Sequence, residues 1–277
     1  MDKRRALVIG AGPMGLWMAR NLVKRGYRVT VYDKKRNKLK KIEGGGISAA
    51  KSLKEALSSS SLVVLAVGAS NAAALLPSLM STVSGKIILD ISSVKTPVAK
   101  ALAKHRRSSN MVVLVHPLFG PGTKKLEDKS VVFIPFRKPE EEYRVCTEVF
   151  HPCKILRMSV ETHDRKMASA MALPRLLILT LLRSWSIDDV KPLTVSQKAL
   201  MLVASPILSE SPSLFKEITE KNPYTEKALI NALKTLNQFR NNPSTASKIF
   251  KQLQTKKLVK GYAKIYQLLE EAASKTW

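Results

Sequence analysis

A chain of 277 residues, 45% of them hydrophobic, carries enough apolar content to exclude a disordered chain and enough length for one large domain or two ordinary ones. Its formal net charge of +26 attracts anions, but the basic residues are spread along the chain and the densest stretches, 33–41 and 251–260, lack interleaved aromatics. A solvated basic surface is therefore expected, with nucleic acid not the main partner. Two cysteines, Cys146 and Cys153, exclude a disulfide framework, no CxxC offers a zinc site, and no metal is expected.

The chain begins with charges and reaches "ALVIG" (6–10) quickly, which reads as a first strand and not as a signal peptide. No apolar run reaches the roughly 18 residues of a membrane span. A cytoplasmic protein without a membrane partner is expected. Up to about residue 157, short β-branched runs alternate with helical patterns: "RALVIG" (5–10), "RVTVYD" (28–33), "LVVLAV" (62–67), "KIILDI" (86–91), "MVVLVH" (111–116) and "SVVFIP" (130–135). Continuous apolar strands with helices between them imply a parallel sheet covered on both faces, the α/β, doubly wound, Rossmann-type pattern. Helical patterns then take over in 163–185, 193–209, 211–221 and beyond, where Ser211 and Pro212 form an N-cap and first-turn pair. The reading is a dinucleotide-binding domain over 1–160 and an all-helical substrate and dimerisation domain over 161–277. Exposed-looking apolar residues in 222–240 fit a homodimer formed through that second domain.

"GAGPMG" follows the first strand and opens a helix. Gly10, Ala11, Gly12, Pro13, Met14 and Gly15 are read as the dinucleotide-binding turn, in the strand–turn–helix context that gives G-x-G-x-x-G its meaning. Glycines make the tight turn, the close approach to pyrophosphate and the close helix–strand packing; the helix N-terminus offers N–H groups to phosphate. Asp33 ends the second strand, 18 residues after Gly15. A carboxylate there binds ribose hydroxyls and favours NAD, while the following "KKR" (34–36) would accommodate the 2′-phosphate of NADP.

The fourth and fifth strands end in "DISSVK" (90–95) and "HPLFGP" (116–121). In a parallel sheet these ends face the cofactor crevice, so Ser92, Ser93, Lys95 and His116 are expected to converge there. A histidine titrating near neutrality suits a proton acceptor, and a serine beside it orients it or binds a substrate hydroxyl.

In this order, "DISSVK", "HPLFGP" and "ETHDRKMASAMALPRLL" (161–177) resemble the prephenate dehydrogenase family, and "SPSLFKEITEKNPY" (211–224) resembles part of its helical domain. The resemblance implies NAD(P)-dependent oxidative decarboxylation of prephenate to 4-hydroxyphenylpyruvate, a step of tyrosine biosynthesis. It implies that His116 takes the ring-hydroxyl proton and that Ser93 hydrogen-bonds both the histidine and that hydroxyl. Lys95 follows at the family position and, with Ser92, is read as substrate-binding. His163 and Asp164 match the "HD" that begins the long helix, with capping and docking roles. Two departures stand out: Arg175 occupies the place of a family histidine, and Ser205 and Pro206 stand where the family has an arginine that clamps a substrate carboxylate. Arg175 is therefore expected to supply the clamp. The alternatives are an arogenate dehydrogenase, a β-hydroxyacid-type enzyme using Lys166, and a catalytically impaired cofactor-binding regulator.

Overall fold

The computed structural model describes residues 4–40, 42, 44–105, 108–185, 194–254 and 262–274. Residue 41, residues 255–260 of the basic stretches and residue 193 of the helical pattern lie outside the described residues. The chain divides into two units, Met1–Lys166 and Met167–Trp277, a later division than the 160/161 boundary expected.

The first unit is an eight-stranded sheet of order β3-β2-β1-β4-β5-β6-β7-β8. Its elements are β1 (Arg5–Ile9), α1 (Pro13–Lys24), β2 (Arg28–Tyr32), β3 (Ile47–Ala49), α2 (Leu53–Ser59), β4 (Leu62–Leu65), α3 (Ala69–Thr82), β5 (Ile87–Asp90), α4 (Thr96–Ala103), β6 (Met111–Pro117), β7 (Ser130–Ile134), α5 (Pro139–Phe150), β8 (Lys154–Arg157) and α6 (Val160–Met167). Alternate residues serve opposite faces. Ala6 and Val8 join one core cluster with Trp17, Met18 and Phe150, and Leu7 and Ile9 join another with Leu76, Val98 and Leu102. Both faces are dry, which is why the strands are apolar throughout.

Two strands escape the sequence pattern. β3 is only three residues long, and β8 is a four-residue edge strand with exposed ends; neither is long enough to show a period. The sheet is also not wholly parallel: β7 runs antiparallel to β6. A parallel return needs a crossover, usually helical, and among the described residues no helix lies between Pro117 and Ser130. The order places the switch point between β1 and β4, where neighbouring strands lead their connections to opposite faces, so the crevice lies beyond the C-terminal ends of β1, β4, β5 and β6.

The second unit is helical: a π-helical turn (Ala168–Ala172), α7 (Leu173–Ser184), α8 (Val195–Leu208), α9 (Pro212–Glu220), α10 (Thr225–Asn241), α11 (Ser244–Leu253) and α12 (Tyr262–Ser274). Ser211 caps α9 by accepting from Leu214 N at 3.3 Å, with Pro212 in the first turn. One expectation needs correction. Val160–Ser184 is a 25-residue helical run, long and apolar enough to cross a membrane by length and composition. Counting unbroken apolar letters missed it, because mean hydropathy tolerates isolated charges such as Arg175.

Candidate active site

Gly10 follows β1 with φ +112°, and a Cβ there would lie 2.3 Å from the Ala66 carbonyl oxygen beyond β4. Gly15, in the first turn of α1, is held so closely that its Cβ would meet the Gly10 carbonyl oxygen at 1.9 Å. A Cβ on Gly12, by contrast, would meet nothing within 4 Å. The turn is therefore packed tightly on its inner side and open at Gly12, with Pro13 starting the helix beside it. An open backbone at a helix N-terminus fits a pyrophosphate. Asp33 secures the turn: its carboxylate accepts from Ala11 N at 2.9 Å and from Lys35 N at 2.8 Å. The Lys38 ammonium lies 3.7 Å away, and Arg36 donates to the carbonyls of Ala50 and Lys51 at 3.2 and 2.7 Å.

His116 sits near the end of β6, buried, with its Nδ1 2.9 Å from His163 Nε2. Among the described residues His116 Nε2 has no partner. The loop that follows β6 is tied to α1: Trp17 Nε1 donates to the Thr123 carbonyl at 2.8 Å, and the Trp17 and Phe119 rings meet edge to face at 5.0 Å. The proposed base and the glycine-rich helix are thus held by one contact set.

Behind His116 lies a buried polar network. His163 Nδ1 is 2.7 Å from Asp164 Oδ1, and both side chains are fully buried. Asp164 accepts from Lys95 N at 2.9 Å, Thr96 N at 2.8 Å and Thr96 Oγ1 at 2.6 Å. It therefore caps α4, a different helix from its own; α6 is capped by Ser159, which accepts from Thr162 N at 3.1 Å. Burial opposes ionisation of Asp164, but His163, Thr96 and the backbone donors outweigh it and hold the carboxyl below its ordinary range.

The structure corrects two expected substrate ligands. Lys95 is wholly buried, and its ammonium bonds Asp90 Oδ2 at 2.5 Å, the Asp90 carbonyl at 3.3 Å and Ser92 Oγ at 3.3 Å. The buried Ser92 hydroxyl faces Asp90 Oδ2 at 2.8 Å and the Val94 carbonyl at 3.1 Å. Both groups are engaged in holding the turn after β5, so neither is left for substrate. Burial also pulls the Lys95 ammonium below its ordinary range, against the pull of Asp90. Ser93 is half-buried and makes no hydrogen bond to His116; the partner of His116 is His163. Burial first, then His163 and Lys95, push His116 well below the ordinary histidine value. His163 is also lowered, by burial, although its bond to Asp164 opposes this.

In the helical unit, Arg175 does not present an unengaged guanidinium. Its Nε donates to Glu210 Oε2 at 3.1 Å, its Nη2 to Glu210 Oε1, and its Nη1 to the Met171 carbonyl at 2.9 Å. The expected carboxylate clamp is occupied by the chain's own carboxylate. Ser205 is exposed on α8, and Lys166 is exposed in the last turn of α6. Asp90 and Thr96 were missed by sequence reasoning, although Asp90 opens the motif "DISSVK" and a strand-end carboxylate five residues before a lysine is a visible signal.

Residues 6–151 match the family described as the NAD binding domain of 6-phosphogluconate dehydrogenase. A probable arogenate/prephenate dehydrogenase of Methanocaldococcus jannaschii is 27% identical over 230 residues, covering 79% of this chain and 49% of that protein. A probable NADP-dependent prephenate dehydrogenase of Schizosaccharomyces pombe is 25% identical over 198 residues, covering 69% and 45%. The chain thus spans about half the length of the curated relatives it matches. Among solved structures, prephenate dehydrogenase from Aquifex aeolicus, in complex with hydroxyphenyl propionate and NAD+, superposes with a TM-score of 0.75 at 19% identity, covering 93% of this chain and 98% of that one. At that identity the likeness concerns the fold.

Proposed function

We propose, from the premise that this chain belongs to the family of the NAD binding domain of 6-phosphogluconate dehydrogenase, that it is an NAD-dependent dehydrogenase catalysing oxidative decarboxylation of prephenate. The observation that carries the reading is His116, at the crevice edge, with Nδ1 engaged by His163 and no partner on Nε2 among the described residues. The prephenate and arogenate dehydrogenases among its relatives support the substrate class.

The turn Gly10–Gly15 and the N-terminus of α1 would hold the pyrophosphate, and Asp33 the ribose. When bound, NAD supplies the acceptor for the hydride that leaves the ring carbon bearing the hydroxyl. His116 Nε2 takes the proton of that hydroxyl, and the ring carboxylate departs as carbon dioxide, so that the ring becomes aromatic. A depressed histidine pKa keeps His116 unprotonated and ready to accept at neutral pH. Ser93, whose hydroxyl makes no bond within the described chain, is available to orient the substrate hydroxyl.

The homodimer reading rests on the helical unit, where Ile230, Leu233 and Leu236 on α10 are 43, 49 and 49% exposed, an apolar stripe that a second copy would cover. We read the protein as cytoplasmic. Lys34, Lys35 and Arg36 keep NADP as the second reading, in line with the cofactor of the S. pombe relative. Nicotinamide reduction should be measured with prephenate or arogenate against NAD or NADP. The expected result is turnover with prephenate and NAD; no turnover in any of the four combinations would refute the reading.

A further inference from the structure

We infer that His163 is a positioning residue that fixes the tautomer of His116, passing the orientation of the buried Asp164 carboxylate along a chain of two histidines. The inference rests on the reading of His116 as the proton acceptor and deepens it. His163 Nδ1 lies 2.7 Å from Asp164 Oδ1, and an ionised carboxylate only accepts. The Nδ1 of His163 must therefore carry the hydrogen. In the neutral ring its Nε2 then holds a lone pair, and that atom faces His116 Nδ1 at 2.9 Å. His116 must donate there, and its own Nε2 is left as the lone-pair atom.

The reverse arrangement would set a bare His163 Nδ1 against a carboxylate oxygen at 2.7 Å. Only a protonated Asp164 could relieve that. Yet Asp164 already receives Lys95 N, Thr96 N and Thr96 Oγ1, donors that favour the ionised form. A doubly protonated His163 is opposed by its complete burial and by the Lys95 ammonium. The Asp–His unit thus leaves one tautomer for His116. It is not the one a free histidine side chain prefers, and it is the one a base reaching into the crevice needs. When Nε2 takes a proton, the Nδ1–H of His116 keeps donating to His163 Nε2. The new positive charge then lies at the head of a hydrogen-bonded chain ending on Asp164. No second proton has to move.

The chain has four histidines, so nitrogen NMR of the 15N-labelled full-length protein can resolve them, with His116→Asn assigning the signal. The expected spectrum at neutral pH shows His116 protonated at Nδ1 and bare at Nε2; a hydrogen on Nε2 overturns the inference whatever the activity. This measurement needs no variant of His163 to fold. Kinetics supply the second arm. His163→Leu offers no acceptor and is expected to lose about 10- to 100-fold in kcat, with KM values and NAD affinity little changed. His163→Gln, whose side-chain carbonyl can accept from His116 Nδ1, should recover most of that loss. Equal losses in both variants, or a loss carried by KM, contradict the positioning role. If His116→Asn instead left turnover intact, the base assignment would fall while the tautomer result stood by itself.

Discussion

Two halves of one crevice edge are built from opposite materials. Beyond β1 and β2 the structure works by leaving side chains out: Gly10 and Gly15 allow contacts that any Cβ would block, and the backbone at Gly12 stays open. Beyond β5 and β6 it works by burying ionisable groups. Asp90, Lys95, His163 and Asp164 are 0% exposed and His116 is 4% exposed. Buried charge is costly unless every group is paired, so the second half is a closed network in which each hydrogen bond constrains the next. The first half offers shape and backbone to the proposed cofactor; the second offers the buried ionisable groups that the proposed chemistry uses.

Substitutions should respect this division. The largest effect on cofactor binding is expected at Gly15→Val. Its side chain would have to occupy the space of the Gly10 carbonyl, and the NAD dissociation constant should rise at least about a hundredfold, near 2.8 kcal/mol. Titration of NAD against a folded variant checks this; unchanged affinity would mean that the close approach is irrelevant to the cofactor. In the other half, Lys95→Met should cost about 3–5 kcal/mol of stability by leaving Asp90 buried without its cation. Denaturant unfolding measures the loss, and the double change Lys95→Met with Asp90→Leu should return much of it. If Lys95→Met were stable and raised KM alone, Lys95 would be a substrate ligand after all.

A pH series separates the halves without mutation. Burial lowers both His116 and His163, in the company of Lys95, Asp90 and Asp164. Below 6.5 the unfolded chain binds protons that the native state resists. Stability from these two groups is thus complete above the unfolded value and lost as pH falls toward the folded ones. Urea midpoints between about pH 7 and pH 5 should therefore decline, and less so in His163→Gln. The smallest effect belongs outside the crevice edge. Arg175→Leu removes a partner of Glu210, each side chain being 12–18% exposed. It should cost about 1 kcal/mol or somewhat more and leave the Michaelis constant for prephenate unaltered. A large rise in that constant would restore the clamp.

The same contrast explains what could be read from the letters. A glycine motif acts within a few residues, so "GAGPMG" together with the strand before it announced the turn. The continuous apolar runs announced six of the eight strands. The network acts across the chain: His116 meets a residue 47 positions away, and Lys95 N meets Asp164 at a separation of 69. Nothing local marks such a pairing. Motif order brought Ser93, Lys95 and His116 to one edge, but not the finding that Lys95 is enclosed or that the partner of His116 is a histidine. Arg175 shows the same limit, since its partner Glu210 lies 35 residues further along.

The central claim is that His116 is the proton acceptor of an NAD-dependent dehydrogenase, and His116→Asn tests it most directly. With prephenate and NAD, nicotinamide reduction should fall by about 100- to 10,000-fold, while NAD binding by titration stays as in the unaltered protein. Retained turnover in a variant that binds NAD normally would contradict the account.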